Sequence, residues 1–112
     1  MWPTHPAQTP GSLDDPSFLY HLLHHLLLTR AVEERSVLGA RQGLQPKFFS
    51  AWGNEAGAVG TAAAMRPQDV LVPMHRSLGA HLVRGHSLHD IFLQAYLKAD
   101  SHTRGRDTGI HL

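Results

Sequence analysis

Between residues 16 and 41, apolar positions recur at helical spacing: Leu19, Leu22, Leu23, Leu26 and Leu27 share one face. Asp15 stands where an N-cap is needed. Pro16 suits the first helical position, because the N–H it lacks would have no partner there. Gly43 supplies the stop, so the pattern predicts one helix from about 16 to 41. Residues 44–52, "LQPKFFSAW", read as a loop or short extended piece. "GNEAGAVGTAAAM" follows, and its Ala and Gly content predicts a helix that Asn54 can cap and that neighbouring elements can approach closely. "RPQD" is a turn, and "VLVP", residues 70–73, reads as a short buried strand ended by Pro73. A helix is expected from about 76 to 84, stopping at Gly85. Another opens at Ser87 with Asp90 at capping-box distance and runs to about Ala99. The inventory is mostly helical, and its one strand has no visible strand to pair with.

Composition narrows the classes. A chain of 112 residues makes one small domain or a piece of a larger one. Hydrophobic content of 42% and charged content of 17% are globular values. With 10 Lys+Arg against 9 Asp+Glu, there is no basic excess of the kind a nucleic-acid or membrane-surface binder shows. The absence of cysteine excludes disulfide scaffolds, thiolate catalysis and zinc-thiolate sites. Residues 1–14 read as a flexible leader without the basic segment and apolar core of a secretory signal, and 15–112 as the folded part. No apolar run approaches the roughly 20 residues of a membrane span. The expectation is a cytoplasmic protein.

Several constellations could carry chemistry. His21, His24 and His25 sit at i, i+3 and i+4, as metal ligands on a helix must, but no further ligand stands nearby to complete a site. A surface or partner-facing stripe is the better reading, and no metal is expected. Arg30 and Glu34, at i and i+4, make a solvated ion pair. Glu55 suits the dipole of the helix it opens, and the glycines around it match no phosphate-loop pattern. His75 and Arg76 lie where a strand gives way to a helix, the position at which open α/β sheets bind ligands. Arginine can grip a phosphate through paired N–H bonds. The alternative is that the cation pairs with Asp69 or nearby carbonyls. "GRDTGIHL", containing Arg106 and His111, makes a polar loop that needs partner contacts to be ordered.

Taken in order, "TRAVEER", Gly53-Asn54-Glu55-Ala56, the Ala-rich helix, the Arg66–Asp69 turn, the strand leading to His75-Arg76, the helix ending in Arg84-Gly85 and the final "GRDTGIHL" resemble a known family. They are similar to the N-terminal part of the alpha subunit of thiamine-diphosphate-dependent 2-oxo acid dehydrogenases, the first, decarboxylating component of the pyruvate and branched-chain types. The resemblance covers about residues 16–112. It implies a mostly helical fragment of an α/β thiamine-diphosphate-binding fold, whose 70–73 strand would join a parallel sheet built largely from other residues. It further implies oxidative decarboxylation of a 2-oxo acid with acyl transfer to lipoyl, and thiamine diphosphate with Mg as cofactors. The implied partners are a beta subunit or beta domain and the lipoyl-bearing second component. Arg76 would hold the diphosphate with His75 assisting, while Arg106 and His111 would border the active-site entrance.

Two departures matter. The family's tyrosine before the arginine is His75 here. Its Gly-Asp-Gly motif with a downstream Asn, which holds magnesium and diphosphate, does not occur in these residues. The chain alone is therefore expected to be inactive. The second hypothesis is a non-catalytic helical remnant that binds a partner chain or oligomerises through its leucine stripe. A histidine-rich metal binder is the third.

Overall fold

The structure, a computed structural model, describes residues 12–110 and 112; most of the expected leader, and His111, lie outside the described residues. Four helices are present among the described residues: α1 (Pro16–Arg41), α2 (Glu55–Ala63), α3 (Leu78–Val83) and α4 (Leu88–Ala95). The first follows the sequence expectation at both ends. Asp15 accepts from the Ser17 N–H at 2.9 Å, Pro16 takes the first turn, and Gly43 turns out at φ +74°.

What α1 buries differs from expectation. Its inner face is Thr29, Val32, Glu33, Ser36 and Gly39, all in the second half, while Leu19, Leu23 and Leu27 are 45%, 49% and 63% exposed. The periodicity is real, but in the first half the stripe stays exposed or half-buried among the described residues. In the second half, small and polar residues let α2 and α3 come close. Gly79 of α3 shows how close: a Cβ there would lie 2.9 Å from Val59 Cγ2 and 3.1 Å from Thr29 Oγ1.

Helix α3 has only six residues, of which Leu78, Gly79, Ala80, His81 and Leu82 are buried. Leu78 and Leu82 join Val32 and Ile91 in one apolar cluster, flanked by Leu28, Phe92, Ile110 and Leu112. Ala80 joins Ala58 and Ala62 in a second, against which Leu71 and Val83 pack. So α3 is the shared wall between the two.

Three sequence expectations are corrected. Residues 70–73 are extended, but no strand forms among the described residues. Leu71 packs inward while Val70 and Val72 are 83% and 88% exposed, the alternation of a strand without a second chain segment to pair with. The helix expected from 76 starts at Leu78, because Met74–Ser77 close a turn first, with the Ser77 N–H donating to the Met74 carbonyl at 2.9 Å. The last helix ends at Ala95 instead of 99. Leu97 adopts φ +54°, and the Lys98 N–H reaches back to the Leu93 carbonyl at 2.9 Å, a left-handed helix end usually given to glycine. The cap at its other end is as expected: the Asp90 N–H donates to Ser87 Oγ at 3.1 Å, and Ser87 Oγ donates to the Asp90 carboxylate at 2.6 Å.

The Arg66–Asp69 turn is closed by their ion pair at 2.9 Å. It is then clasped by Arg84 at the end of α3, which donates to the carbonyls of Arg66, Pro67 and Asp69 at 3.3, 3.2 and 3.1 Å. Those bonds fix the extended segment where it leaves the turn, and so set where residues 74–77 begin.

Candidate functional site

His75 and Arg76 sit on the turn between the extended segment and α3, both exposed. The alternative partner for the cation is taken: the Asp69 carboxylate belongs to Arg66, which holds it below its ordinary pKa. Arg76 makes no ion pair among the described residues; its carbonyl accepts from Asn54 Nδ2 at 3.3 Å. This corrects the expected role of Asn54. It stands at the N-cap of α2 but makes no side-chain cap bond there, its backbone at φ −103°, ψ 4° lying outside the extended conformation a capping residue usually takes. The His75 ring lies 4.7 Å from the ring of Phe49, whose face also takes the Lys47 ammonium at 5.1 Å.

Behind His75 a narrow cleft runs to Glu33, with Gly109 and Ile110 on its rim. The polar C-terminal loop thus reaches the same cleft as His75, although Arg76 does not line it. The cleft holds about 20 Å³, room for a water and far less than a cofactor needs. Arg106 is exposed on a turn whose N–H donates to the Thr103 carbonyl at 3.1 Å. The loop is tied down by Gln94 of α4, fully buried. Its Oε1 accepts from the Thr103 N–H and hydroxyl at 3.3 and 3.0 Å, and its Nε2 donates to the Asp107 carbonyl at 3.3 Å.

Sequence reasoning missed the groups that grip the 50–55 segment. Arg30 pairs not with Glu34 but with Glu55, at 2.6 Å, and lies 5.2 Å from the Trp52 ring. The guanidinium holds the Glu55 carboxyl below its ordinary pKa against the opposing effect of burial. One turn along, Glu33 is 1% exposed, and Oε2 accepts from the Ala51 N–H at 3.0 Å and from Ser50 Oγ at 3.1 Å. Burial pushes its carboxyl pKa up, and these two donors pull against that. Helical spacing does not separate the two glutamates, since Glu33 and Glu34 stand three and four residues after Arg30 and both neighbour it on the helix surface.

On the outer half of α1, the His21 and His25 rings are 4.3 Å apart, and His25 Nδ1 donates to the His21 carbonyl at 2.9 Å. Among the described residues no group of three His, Asp or Glu is placed to hold a metal ion, and no helix is long and apolar enough to cross a membrane.

A second histidine group lies at the α3–α4 junction. The His86 ring is 5.2 Å from that of His81 and 6.4 Å from that of His102. Burial lowers the His86 pKa, the positive charge of His102 lowers it further, and Asp90 opposes. The fold therefore favours neutral His86. Its contribution is complete above the unfolded value near 6.5 and erodes as pH falls through and below it. Melting temperature should fall between pH 7 and pH 5, and His86→Gln should flatten that decline. An unchanged slope in the variant would remove His86 as its source.

The sequence profile of the Dehydrogenase E1 component family matches residues 24–111. Among curated proteins, the 2-oxoisovalerate dehydrogenase subunit alpha of Bacillus subtilis (strain 168) is 35% identical over 88 residues, covering 77% of this chain and 27% of that protein. The pyruvate dehydrogenase E1 component subunit alpha of Acholeplasma laidlawii is 39% identical over 70 residues, 62% of this chain and 20% of that protein. The mitochondrial 2-oxoisovalerate dehydrogenase subunit alpha of Caenorhabditis elegans is 35% identical over 71 residues, 63% of this chain and 16% of that protein. The aligned region is thus between 16% and 27% of these relatives' length. No solved structure gives a significant match.

Proposed function

The chain belongs to the dehydrogenase E1 component family, and on that premise we propose that it is the N-terminal portion of a 2-oxo acid dehydrogenase alpha subunit, working in the cytoplasm. Its task there is to present Arg76 to the anionic end of thiamine diphosphate. What supports the reading is the Arg76 guanidinium, exposed and without an ion pair among the described residues, on a turn held by Asn54. A planar guanidinium suits phosphate oxygens through two parallel N–H bonds. His75 adds a donor beside it, while Arg106 and His111 border the approach.

The donors fit the diphosphate and nothing more. No group of three His, Asp or Glu fits magnesium among the described residues, so no step is drawn through that ion. Thiamine diphosphate, when bound, supplies the chemistry that removes carbon dioxide from a 2-oxo acid. The rest of the site comes from the alpha subunit's Gly-Asp-Gly segment and from a beta subunit or beta domain, and the acyl acceptor is the lipoyl group of the second component. These residues by themselves, without a Gly-Asp-Gly motif, turn over no 2-oxo acid.

Binding of inorganic diphosphate to the 112-residue chain, followed by phosphorus NMR, tests the cation. Arg76→Ala should weaken it about tenfold or more, and equal affinity in the variant would sink the assignment. Thiamine-diphosphate-dependent release of carbon dioxide by the chain alone would overturn its dependence on a partner. The second reading, a non-catalytic chain that binds a partner or self-associates through α1, is favoured by the exposure of Leu19, Leu23 and Leu27. Sedimentation of a stable compact monomer would count against it.

A further inference from the structure

We infer that Glu33 is a positioning residue for the His75–Arg76 corner, acting through the 49–54 segment.

Arg30 and Glu33 stand one turn apart on α1 and hold the two ends of a short stretch. Glu33 takes Ser50 and Ala51 at 3.1 and 3.0 Å, and Arg30 takes Glu55 at 2.6 Å. From the stretch so fixed, two contacts reach the corner. The Phe49 ring lies against the His75 imidazole at 4.7 Å, and the Asn54 amide donates to the Arg76 carbonyl at 3.3 Å. Neither the His75 ring nor the Arg76 guanidinium is hydrogen-bonded to another described side chain, so the segment is what sets their place.

The chemistry of Glu33 argues that it does more than fill space. It is 1% exposed, and its nearest polar contacts are a neutral N–H and a hydroxyl, not a cation. A buried carboxylate in that setting costs stability that an apolar side chain of similar volume would not. What the carboxylate provides, and an apolar side chain cannot, is an acceptor that fixes two successive residues of a loop. The loop carries the two contacts just described. The raised pKa of Glu33 fits the same account, since burial outweighs its two donors.

The part of this inference that concerns diphosphate rests on the reading of Arg76 given above; the part that concerns His75 does not. Glu33→Met removes the acceptor at similar volume, and Glu33→Gln keeps one acceptor oxygen. Two quantities are read on the 112-residue chain: the His75 ring shifts by NMR, and the affinity for inorganic diphosphate. E33M should move the His75 shifts toward those of Phe49→Leu, which removes the ring directly, and weaken diphosphate binding about tenfold. E33Q should keep the shifts and stay within about twofold.

A folded E33M with wild-type His75 shifts overturns the inference. Should E33M fail to fold, Ser50→Ala decides: loss of one donor moves the same His75 resonances in the same direction, and silence there refutes the role of Glu33. Arg76→Ala separates the two readings. If it leaves diphosphate affinity unchanged, the anion assignment falls, and the His75 shifts alone decide the positioning role.

Discussion

Gly79→Val should lower the melting temperature by about 10–20 °C. A Cβ at this position would lie 2.9 Å from Val59 Cγ2, 3.1 Å from Thr29 Oγ1 and 3.4 Å from Ala58 Cβ. It thus meets α1 and α2 together, at the place where all three helices converge. Thr29 cannot yield easily, because its hydroxyl donates to the His25 carbonyl at 2.6 Å. Overpacking of this kind costs about 3 kcal/mol, against a total on the order of 5–15 kcal/mol. Gly60 gives the contrast. It lies in α2 with nothing within 4 Å of its would-be Cβ, so Gly60→Ala should stabilise by about 0.5–1 kcal/mol. Thermal melts followed by circular dichroism compare the two. A Gly79→Val chain melting within about 2 °C of the parent would show that the helices do not approach as described.

Gln94→Leu should free the C-terminal loop while leaving the four helices in place. The side chain is completely buried, and its amide takes both Thr103 donors and the Asp107 carbonyl. Leucine matches its volume but leaves the Thr103 N–H and the Asp107 carbonyl without those partners. The cost is about 1–3 kcal/mol, chiefly for the half-buried Thr103 N–H. It falls on the loop that carries Arg106 and brings Gly109 and Ile110 to the cleft. Amide hydrogen exchange at Thr103 should accelerate at least tenfold, while amides of α2 and α3 keep their protection. Unchanged exchange at Thr103 would mean the loop is held elsewhere.

How much was legible in the sequence follows the range of the interactions. The start and stop of α1, the Ser87–Asp90 cap and the Arg66–Asp69 turn were readable because donor and acceptor are a few residues apart. The end of α4 was not, since it depends on Leu97 taking φ +54°. There the chain folds back so closely that a Cβ on Gly105 would stand 2.7 Å from the Leu97 carbonyl oxygen. The leucine stripe was visible, but periodicity cannot say which stripe receives a partner. Residues 70–73 had the composition and alternation of a strand, yet a ladder needs a second segment. The boundary at His75 and Arg76 was visible in the local pattern, but the Met74–Ser77 turn that displaces the start of α3 from 76 to 78 was not. Glu33, Asn54 and the Arg30–Glu55 pair were not, because each reaches a partner 17 to 25 residues away that no spacing rule connects.

The exposed first half of α1 has a calorimetric consequence. From Pro16 to Leu27 the helix extends roughly 18 Å with little among the described residues covering it, so its hydrogen bonds are not tied to the cooperative unit formed by the second half with α2 and α3. On heating, that stretch frays gradually while the packed part melts sharply. Far-ultraviolet dichroism counts both alike, so its curve declines before the main transition and broadens it. The van't Hoff enthalpy from that curve then falls below the heat measured directly. The shortfall gives a measure of how much of the longest helix stands outside the fold it begins.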